Sequence, residues 1–168
     1  MQKEFPCRKH PRLKEYDYAS IGAYFVTICT HNRRCLLSHV VGRGLAPAET
    51  ELTAYGKIAS EQLMLLENRY PDVRVDQFVI MPNHIHIIFI FEESETAGAS
   101  PRPTLTDIVC AYKSLTSRIC KQEKPIEKLF QTSFYEHIIR NRRDYEEISR
   151  YICENPTQWY YDELYADE

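Results

Sequence analysis

Long hydrophobic runs are missing from this sequence of 168 residues. Its longest apolar stretch is His86–Phe91, which includes a histidine and falls far short of the roughly 20 residues that a membrane-spanning helix needs. No apolar segment follows the charged N-terminal residues, as a signal peptide would require. None of the six cysteines is spaced as a CxxC pair, the spacing of a zinc ribbon. We therefore expect a cytoplasmic protein with reduced, mostly buried cysteines and no membrane contact. A secreted disulfide scaffold and a zinc ribbon are also excluded.

Charge is unevenly distributed, although the formal net charge is only −3. Residues 1–43 hold eight Lys and Arg against three acids, and residues 102–151 hold ten against seven. Residues 152–168 hold five acids and no base. This pattern allows one positive face for a polyanion such as nucleic acid, and simple solvation of the surface is the alternative. The N-terminal bases expected on such a face are Arg8, Lys9, Arg12 and Lys14.

The composition is that of one folded domain, since 43% of the residues are hydrophobic and 27% are charged. We expect residues 1–168 to form this single domain, with a basic N-terminal arm at 1–20. A polar, proline-flanked stretch at 92–103 predicts a mobile loop, and 156–168 is an acidic tail. Gly42–Thr50 is predicted to be a second loop.

Strand and helix patterns alternate along this domain. Strands are predicted at Tyr24–Thr30, Val73–Ile80, Ile85–Phe91 and Phe134–Ile139. Helices are predicted at Thr53–Asn68, from Thr104 or Leu105 to Lys121, and at Arg143–Asn155. This order is typical of the α+β ferredoxin-like split βαβ fold, an antiparallel sheet with helices packed on one face, here with an added C-terminal helix. Because Ile85–Phe91 is apolar on both faces, we expect the last helix to cover the far face.

The motif His84-Ile-His86 is the first candidate site. Residues two apart on a strand point to the same face, so the two imidazoles would lie side by side. Two neutral rings in this arrangement can bind a divalent metal ion. The alternative is a pair of histidines satisfied by hydrogen bonds at the mouth of a strand.

The helix after this strand carries the candidate nucleophile, Tyr112. A phenolic oxygen can attack a metal-polarised phosphodiester, and the neighbouring Lys113 and Arg118 can contact phosphate. Tyr112 also lies on the apolar stripe of its helix. A purely structural role in the core is therefore the alternative.

Five segments in order resemble one known family. The run DQFVIMPNHIHII at Asp76–Ile88 resembles the histidine–hydrophobe–histidine motif of the single-tyrosine HUH transposases, and Met-Pro-Asn-His-x-His is typical of their REP-associated tyrosine transposase branch. The other four segments are GAYFVT, LTDIVCAYKSLT, SFYEHIIRN and YICENPTQW, which begin at residues 22, 105, 133 and 151. The resemblance thus covers Gly22 to Trp159, nearly the whole chain.

The resemblance implies an enzyme that cleaves and rejoins single-stranded DNA during transposition. Its substrate would be hairpin DNA with REP-like palindromes, and Mg²⁺ or Mn²⁺ would be held by His84 and His86. Tyr112 would then form a 5′-phosphotyrosine and leave a free 3′-hydroxyl. No ATP would be needed, in keeping with the absence of a glycine-rich phosphate loop from the sequence.

The resemblance also implies a third metal ligand, commonly an amide one helical turn after the tyrosine. Thr116 occupies that position after Tyr112, and a threonine hydroxyl is a poor metal ligand. Besides Thr116, the candidates for the third ligand are Gln131, His137 and water. Tyr135 and Tyr151 are the alternative nucleophiles.

Two functions other than a DNA strand transferase stay open, and so does the assembly state. A domesticated protein that binds hairpins without cutting them would share parts of this pattern, and so would a metallo-hydrolase of small phosphoesters. Either a monomer or a homodimer is compatible with the family.

Overall fold

The computed structural model describes residues 17–42, 48–93 and 102–166. Its strands are β1 (Gly22–Cys29), β2 (Ser38–Val41), β3 (Glu49–Leu52), β4 (Val73–Ile80), β5 (His84–Phe91) and β6 (Tyr135–Ile139). Its helices are α1 (Ala54–Met64), α2 (Leu66–Arg69), α3 (Leu105–Glu123) and α4 (Arg142–Gln158), with single 3₁₀ turns at His31–Arg33 and Trp159–Tyr161. Within these residues, no helix combines the length and apolar character needed to cross a bilayer.

Four strands form one antiparallel sheet in the order β4-β5-β1-β6. The two central strands are therefore β5 and β1, and β4 and β6 are the edge strands. This is the strand order of the ferredoxin-like split βαβ arrangement, so the predicted α+β fold class is confirmed. The predicted bounds of β4 are also those observed.

The two faces of β5 pack against different helices. Ile85, Ile87 and Phe89 belong to the main core, which also holds buried residues of α1 and α3. Ile88 points to the other face and packs with Phe25 of β1 and Ile152 of α4. The expectation that the last helix covers the far face of this strand is thus confirmed.

Specific hydrogen bonds fasten α4 to the edge strand β4. The hydroxyl of Tyr145 donates to Asp76 Oδ2 at 2.6 Å, and Ser149 Oγ donates to Gln77 Oε1 at 2.8 Å. These bonds lie in the part of α4 that precedes Tyr151 and Asn155, the residues of the helix that face the start of β5. They therefore set the position of the helix over that end of the sheet.

Two local expectations are wrong, and a third is wrong at one end only. The stretch Gly42–Thr50, expected to be a loop, overlaps β3 at Glu49 and Thr50, and its residues 43–47 lie outside the described residues. The pairing of β2 with β3 on either side of it was not predicted. The last helix, predicted to end at Asn155 before Pro156, continues to Gln158, because a proline in the final turn removes only one intrahelical hydrogen bond. Cys110 and Cys153 are exposed rather than buried.

Parts of three predicted segments lie outside the described residues. These are the basic arm up to residue 16, residues 94–101 of the 92–103 loop, and the last two residues of the acidic tail.

Candidate metal centre and nucleophile

His84 and His86 begin β5 on the face that α4 covers. Their ring centroids are 4.4 Å apart, and both side chains are buried. The alternation of side chains along a strand accounts for this, since Ile85 between them points into the opposite core. The two expected metal ligands therefore do lie side by side.

Asn83 determines which nitrogen of His84 carries the proton. Its side-chain nitrogen donates to the carbonyl oxygens of Leu164 at 2.8 Å and Arg33 at 3.3 Å. This turns Asn83 Oδ1 toward the ring, where it lies 2.8 Å from His84 Nδ1. An amide oxygen only accepts, so Nδ1 of His84 is the donor and Nε2 keeps its lone pair.

His86 is held from both sides. Thr27 Oγ1 of β1 lies 2.8 Å from His86 Nδ1, and the hydroxyl of Tyr151 lies 3.2 Å from His86 Nε2. The centroid of its ring also lies 5.2 Å from the ring centroid of Phe25 and 5.1 Å from that of Tyr151. Rotation of this imidazole is therefore restricted.

Both histidines are neutral. Burial lowers the pKa of His84 to about 3, and the charge of Arg33 acts in the same direction while the adjacent Asn155 side chain opposes them. Burial, with the second ring beside it, also lowers the pKa of His86 well below its usual value, and Asp162 opposes this shift. Neutral imidazole is the form that binds a metal ion.

The end of α4 and the turn after it complete the site. Tyr151, Asn155 and Asp162 meet there: Asp162 Oδ2 accepts from the Asn155 amide at 2.8 Å and from the Tyr151 hydroxyl at 3.4 Å. Burial, followed by the charge of Asp162, raises the pKa of Tyr151 above its usual value, so this hydroxyl is protonated in the metal-free protein. The tyrosine remains 43% exposed.

The donor set fits a divalent cation. His84, His86 and Asp162 each offer one ligand atom, and these atoms lie within 4.8 Å of one another. His84 Nε2 and Asn155 Oδ1 are buried and, among the described residues, have no hydrogen-bond partner. Buried polar atoms are rarely left unsatisfied, and two nitrogens with carboxylate or amide oxygens are ligands that a divalent transition metal accepts.

Tyr112 is not part of this site, and the expectation that it is the nucleophile is corrected. Its side chain is fully buried in the main core, on the opposite face of the sheet from the two histidines. Its hydroxyl donates to the carbonyl of Ala59 in α1 at 3.1 Å, and burial raises its pKa. The alternative of a core tyrosine describes its position.

None of the three side chains expected as a third ligand lies with the histidine pair. Thr116 is buried one turn after Tyr112, on the far side of the sheet. Gln131 lines a shallow cleft between α3 and the segment before β6. His137 Nε2 lies 3.0 Å from Asp144 Oδ2, at the start of α4.

Two of the six predicted DNA-binding residues lie among the described residues. Four of them lie outside the described residues, namely Arg8, Lys9, Arg12 and Lys14. Lys113 is buried and donates to the carbonyls of Thr132 at 2.8 Å and Ser133 at 3.2 Å, so it has a structural role. Arg118 is exposed on α3.

The sequence contains a signal for the residues that were missed. The resemblance implies an amide one helical turn after the nucleophile, and Asn155 stands four residues after Tyr151. That spacing is absent after Tyr112. Asp162 lies eleven residues from Tyr151 beyond the helix, and only the chain's return to the site brings the two together.

We predict that His84 of the metal-free protein stays neutral at pH 5 with its proton on Nδ1. Its folded pKa lies below the unfolded value, so stability due to the neutral ring is present at pH 7 and is lost as the pH falls toward 3. Long-range ¹⁵N–¹H NMR of the ring nitrogens measures both properties. Imidazolium shifts for His84 at pH 5 would contradict the assignment.

Comparison with known proteins identifies a close relative. No protein-family model matches the sequence. An uncharacterised protein of Haemophilus influenzae strain KW20 is 34% identical over an alignment of 174 positions, gaps included, which covers 95% of this chain and 94% of the relative.

Two solved structures are similar in fold. A REP-associated tyrosine transposase bound to a REP hairpin has a TM-score of 0.64 at 21% identity, over 90% of this chain and 74% of the other. A candidate transposase of Deinococcus radiodurans R1 has a TM-score of 0.51 at 16% identity, over 84% of this chain and 94% of the other. The chain therefore belongs to the same family as the Haemophilus influenzae protein, and it has the fold of the REP-associated tyrosine transposase.

Proposed function

We propose that this protein is a metal-dependent DNA strand transferase that cleaves and rejoins hairpin-bearing single-stranded DNA, as in DNA transposition. One observation carries the proposal: the Tyr151 hydroxyl lies 3.2 Å from His86, beside the buried neutral His84 and the carboxylate of Asp162. A tyrosine next to a metal centre is the arrangement that covalent attack on a phosphodiester requires. A solved structure of the same fold holds a REP hairpin.

The nucleophile in this proposal is Tyr151, which replaces Tyr112. Its exposure lets a DNA strand reach the phenolic oxygen, whereas Tyr112 is enclosed by the core. Because Tyr151 and His86 of the same chain are in contact, one protomer contains the whole site. The nucleophile would then act in cis, whether the protein is a monomer or a homodimer.

Side chains of this protein supply the attacking oxygen and accept the proton that it loses. The phenolic oxygen of Tyr151 attacks phosphorus, and its proton passes to Asp162 Oδ2, which already accepts its hydrogen bond. The bond from phosphorus to the 3′ oxygen breaks, and that oxygen takes a proton from solvent. The product is a 5′-phosphotyrosine and a free 3′-hydroxyl. Attack of a 3′-hydroxyl on the phosphotyrosine reverses each change, so no ATP is consumed.

Mg²⁺ or Mn²⁺ is the proposed cofactor. His84 Nε2, His86 Nε2 and Asn155 Oδ1 would hold the ion, with Asp162 within ligand distance. When bound, it would polarise the phosphodiester and favour the phenolate of Tyr151. Asn83 and Thr27 hold the two rings in place for this role, as partners of metal-bound histidines commonly do.

The basic arm is proposed to bind the phosphate backbone of the DNA. Arg8, Lys9, Arg12 and Lys14 would provide these contacts, and Arg118 is exposed for a further one. Such contacts contribute affinity without reading sequence, so the recognised hairpin is determined elsewhere.

Tyr151→Phe is expected to bind hairpin DNA and metal normally but to form no covalent adduct. The substitution keeps the ring that packs against Phe25 and His86 and removes only the reacting oxygen. Labelled hairpin DNA is incubated with Mn²⁺, and the protein–DNA adduct is measured on a denaturing gel.

Tyr112→Phe is the matched control for that experiment. It loses the bond to the Ala59 carbonyl, at a cost of about 1 kcal/mol in the free energy of unfolding, and should retain the adduct. An adduct that persists in Tyr151→Phe and disappears in Tyr112→Phe would reverse the assignment. Hairpin binding without an adduct in the wild-type protein would instead indicate a hairpin-binding protein.

His84→Ala or His86→Ala should abolish adduct formation while leaving hairpin affinity nearly unchanged. The rings would hold the cation, whereas phosphate contacts by Lys and Arg provide most of the affinity. Mn²⁺ should raise the Tm of the wild-type protein and not that of either variant, because a ligand that binds only the folded state stabilises it. Equal losses of binding and cleavage would show that the histidines are structural.

Neutralising Arg8, Lys9, Arg12 and Lys14 together should weaken hairpin binding and make it less sensitive to salt. Each lost contact to a single-stranded phosphate should reduce the slope of log affinity against log salt by about 0.7. Fluorescence anisotropy at several NaCl concentrations measures this slope. An unchanged slope would show that the arm is merely solvated.

A further inference from the structure

An exposed tyrosine lies in line with the metal centre across the sheet. His86 of β5 pairs with Thr27 of β1, and Thr27 pairs in turn with Tyr135 of β6. Residues that pair in this way point to the same face, so the three side chains form one row on the face that carries the site. Two strand spacings separate Tyr135 from His86, about 10 Å.

Ring contacts connect Tyr135 to the reacting groups. Its ring centroid lies 6.4 Å from that of Phe25, with the rings nearly perpendicular. The ring centroid of Phe25 in turn lies 5.2 Å from that of His86 and 6.2 Å from that of Tyr151. Tyr135 is therefore supported from below by Phe25, yet it remains 41% exposed at the start of an edge strand.

The chemistry of this position matches an unpaired nucleobase. Bases stack on exposed aromatic rings in proteins that bind single-stranded DNA, and this contact tolerates any base because every base has a π-face. The bases of a duplex are already stacked on one another, so a free base is offered by the unpaired parts of a hairpin DNA, its loop and its single-stranded flanks. The flank is the part that a flankless hairpin lacks. A phosphate at His86 and a base on Tyr135 can belong to neighbouring nucleotides of one strand.

The surface charge favours Tyr135 over the other exposed tyrosines near the site. Tyr160 is 42% exposed and reaches His84 through Tyr165 and Trp159. It lies, however, in residues 152–168, which carry five acids and no base. Away from the proposed cation, which Asn155 and Asp162 would hold, these acids repel a phosphate backbone. The segment before Tyr135 instead carries a base, since the Lys128 ammonium donates to Thr132 Oγ1 at 3.2 Å.

We propose that Tyr135 stacks against the unpaired base next to the scissile phosphate, and so binds the single-stranded flank of the hairpin. This inference rests on the proposed function. It assigns a binding role to the SFYEHIIRN segment, which the metal centre and the nucleophile do not use.

Binding in EDTA tests the proposal, because no cleavage then takes place. The probe is a fluorescein-labelled, REP-type hairpin with single-stranded flanks at both ends, compared with the same hairpin without flanks. Tyr135→Ala should weaken binding of the flanked hairpin by about 5-fold to 150-fold and leave the flankless hairpin unaffected. Tyr135→Phe should bind as the wild-type protein does.

Two further variants separate stacking from structural effects. Tyr135→Leu keeps an apolar side chain against Phe25 but has no aromatic face, so it should weaken binding as much as Tyr135→Ala. Tyr160→Ala removes a ring of almost equal exposure from the acidic side and should bind normally. Single abasic nucleotides along both flanks should identify one position at which the wild-type protein and Tyr135→Ala no longer differ.

Several outcomes would overturn the inference. These are equal losses for flanked and flankless hairpins, full affinity in Tyr135→Leu, or wild-type binding that does not depend on the flank. Flank-dependent binding that needs Tyr135, together with no adduct in Mn²⁺, would instead overturn the proposed strand transfer and leave the stacking site intact.

Discussion

The packing of α4 against the second face of β5 is the interaction on which the candidate site depends. Ile88 and Phe25 present an apolar surface on that face, and Ile152 of α4 covers it. Burial of such side chains contributes roughly 25 cal/mol per Å² and has no preferred direction. The directional part comes from the Tyr145 and Ser149 hydroxyls, which bond to β4. Together these contacts bring the residues of the last helical turns over the start of β5.

A consequence of this packing is that polar groups are buried with unused hydrogen-bonding capacity. His84 Nε2 and Asn155 Oδ1 lack hydrogen-bond partners among the described residues, and each such atom costs about 1–3 kcal/mol when it is left unsatisfied. The side chain of Asn83, by contrast, makes hydrogen bonds through both its nitrogen and its oxygen. These bonds fix the His84 ring so that the lone pair of Nε2 faces the site. A bound cation would offset the cost. The arrangement is therefore more readily explained as a ligand set than as two histidines satisfied by hydrogen bonds.

Strand alternation explains both the correct and the incorrect assignments. It predicts that His84 and His86 share a face, and they do. The same alternation places Ile85 and Ile87 on the other face, where α3 packs with Tyr112. The helix that follows the histidine strand, α3, therefore lies on the face opposite the histidines. Its Tyr112 does not reach them. In a split βαβ fold both crossover helices lie on one face, so a site on the other face must draw on a helix added to the fold.

Local patterns in the sequence determined the four strands of the main sheet, the main helices, the fold class and the histidine pair, because these depend on spacings of two to four residues. They did not predict β2 and β3. The Thr104–Asp107 capping box at the start of α3 is another case, since its two partners are only three residues apart. Tertiary structure alone decided which tyrosine meets the histidines and that Asp162 joins them. His86 and Tyr151 are 65 positions apart, and their contact depends on which sheet face each helix covers. That choice follows from the summed burial of many side chains, which no short motif records.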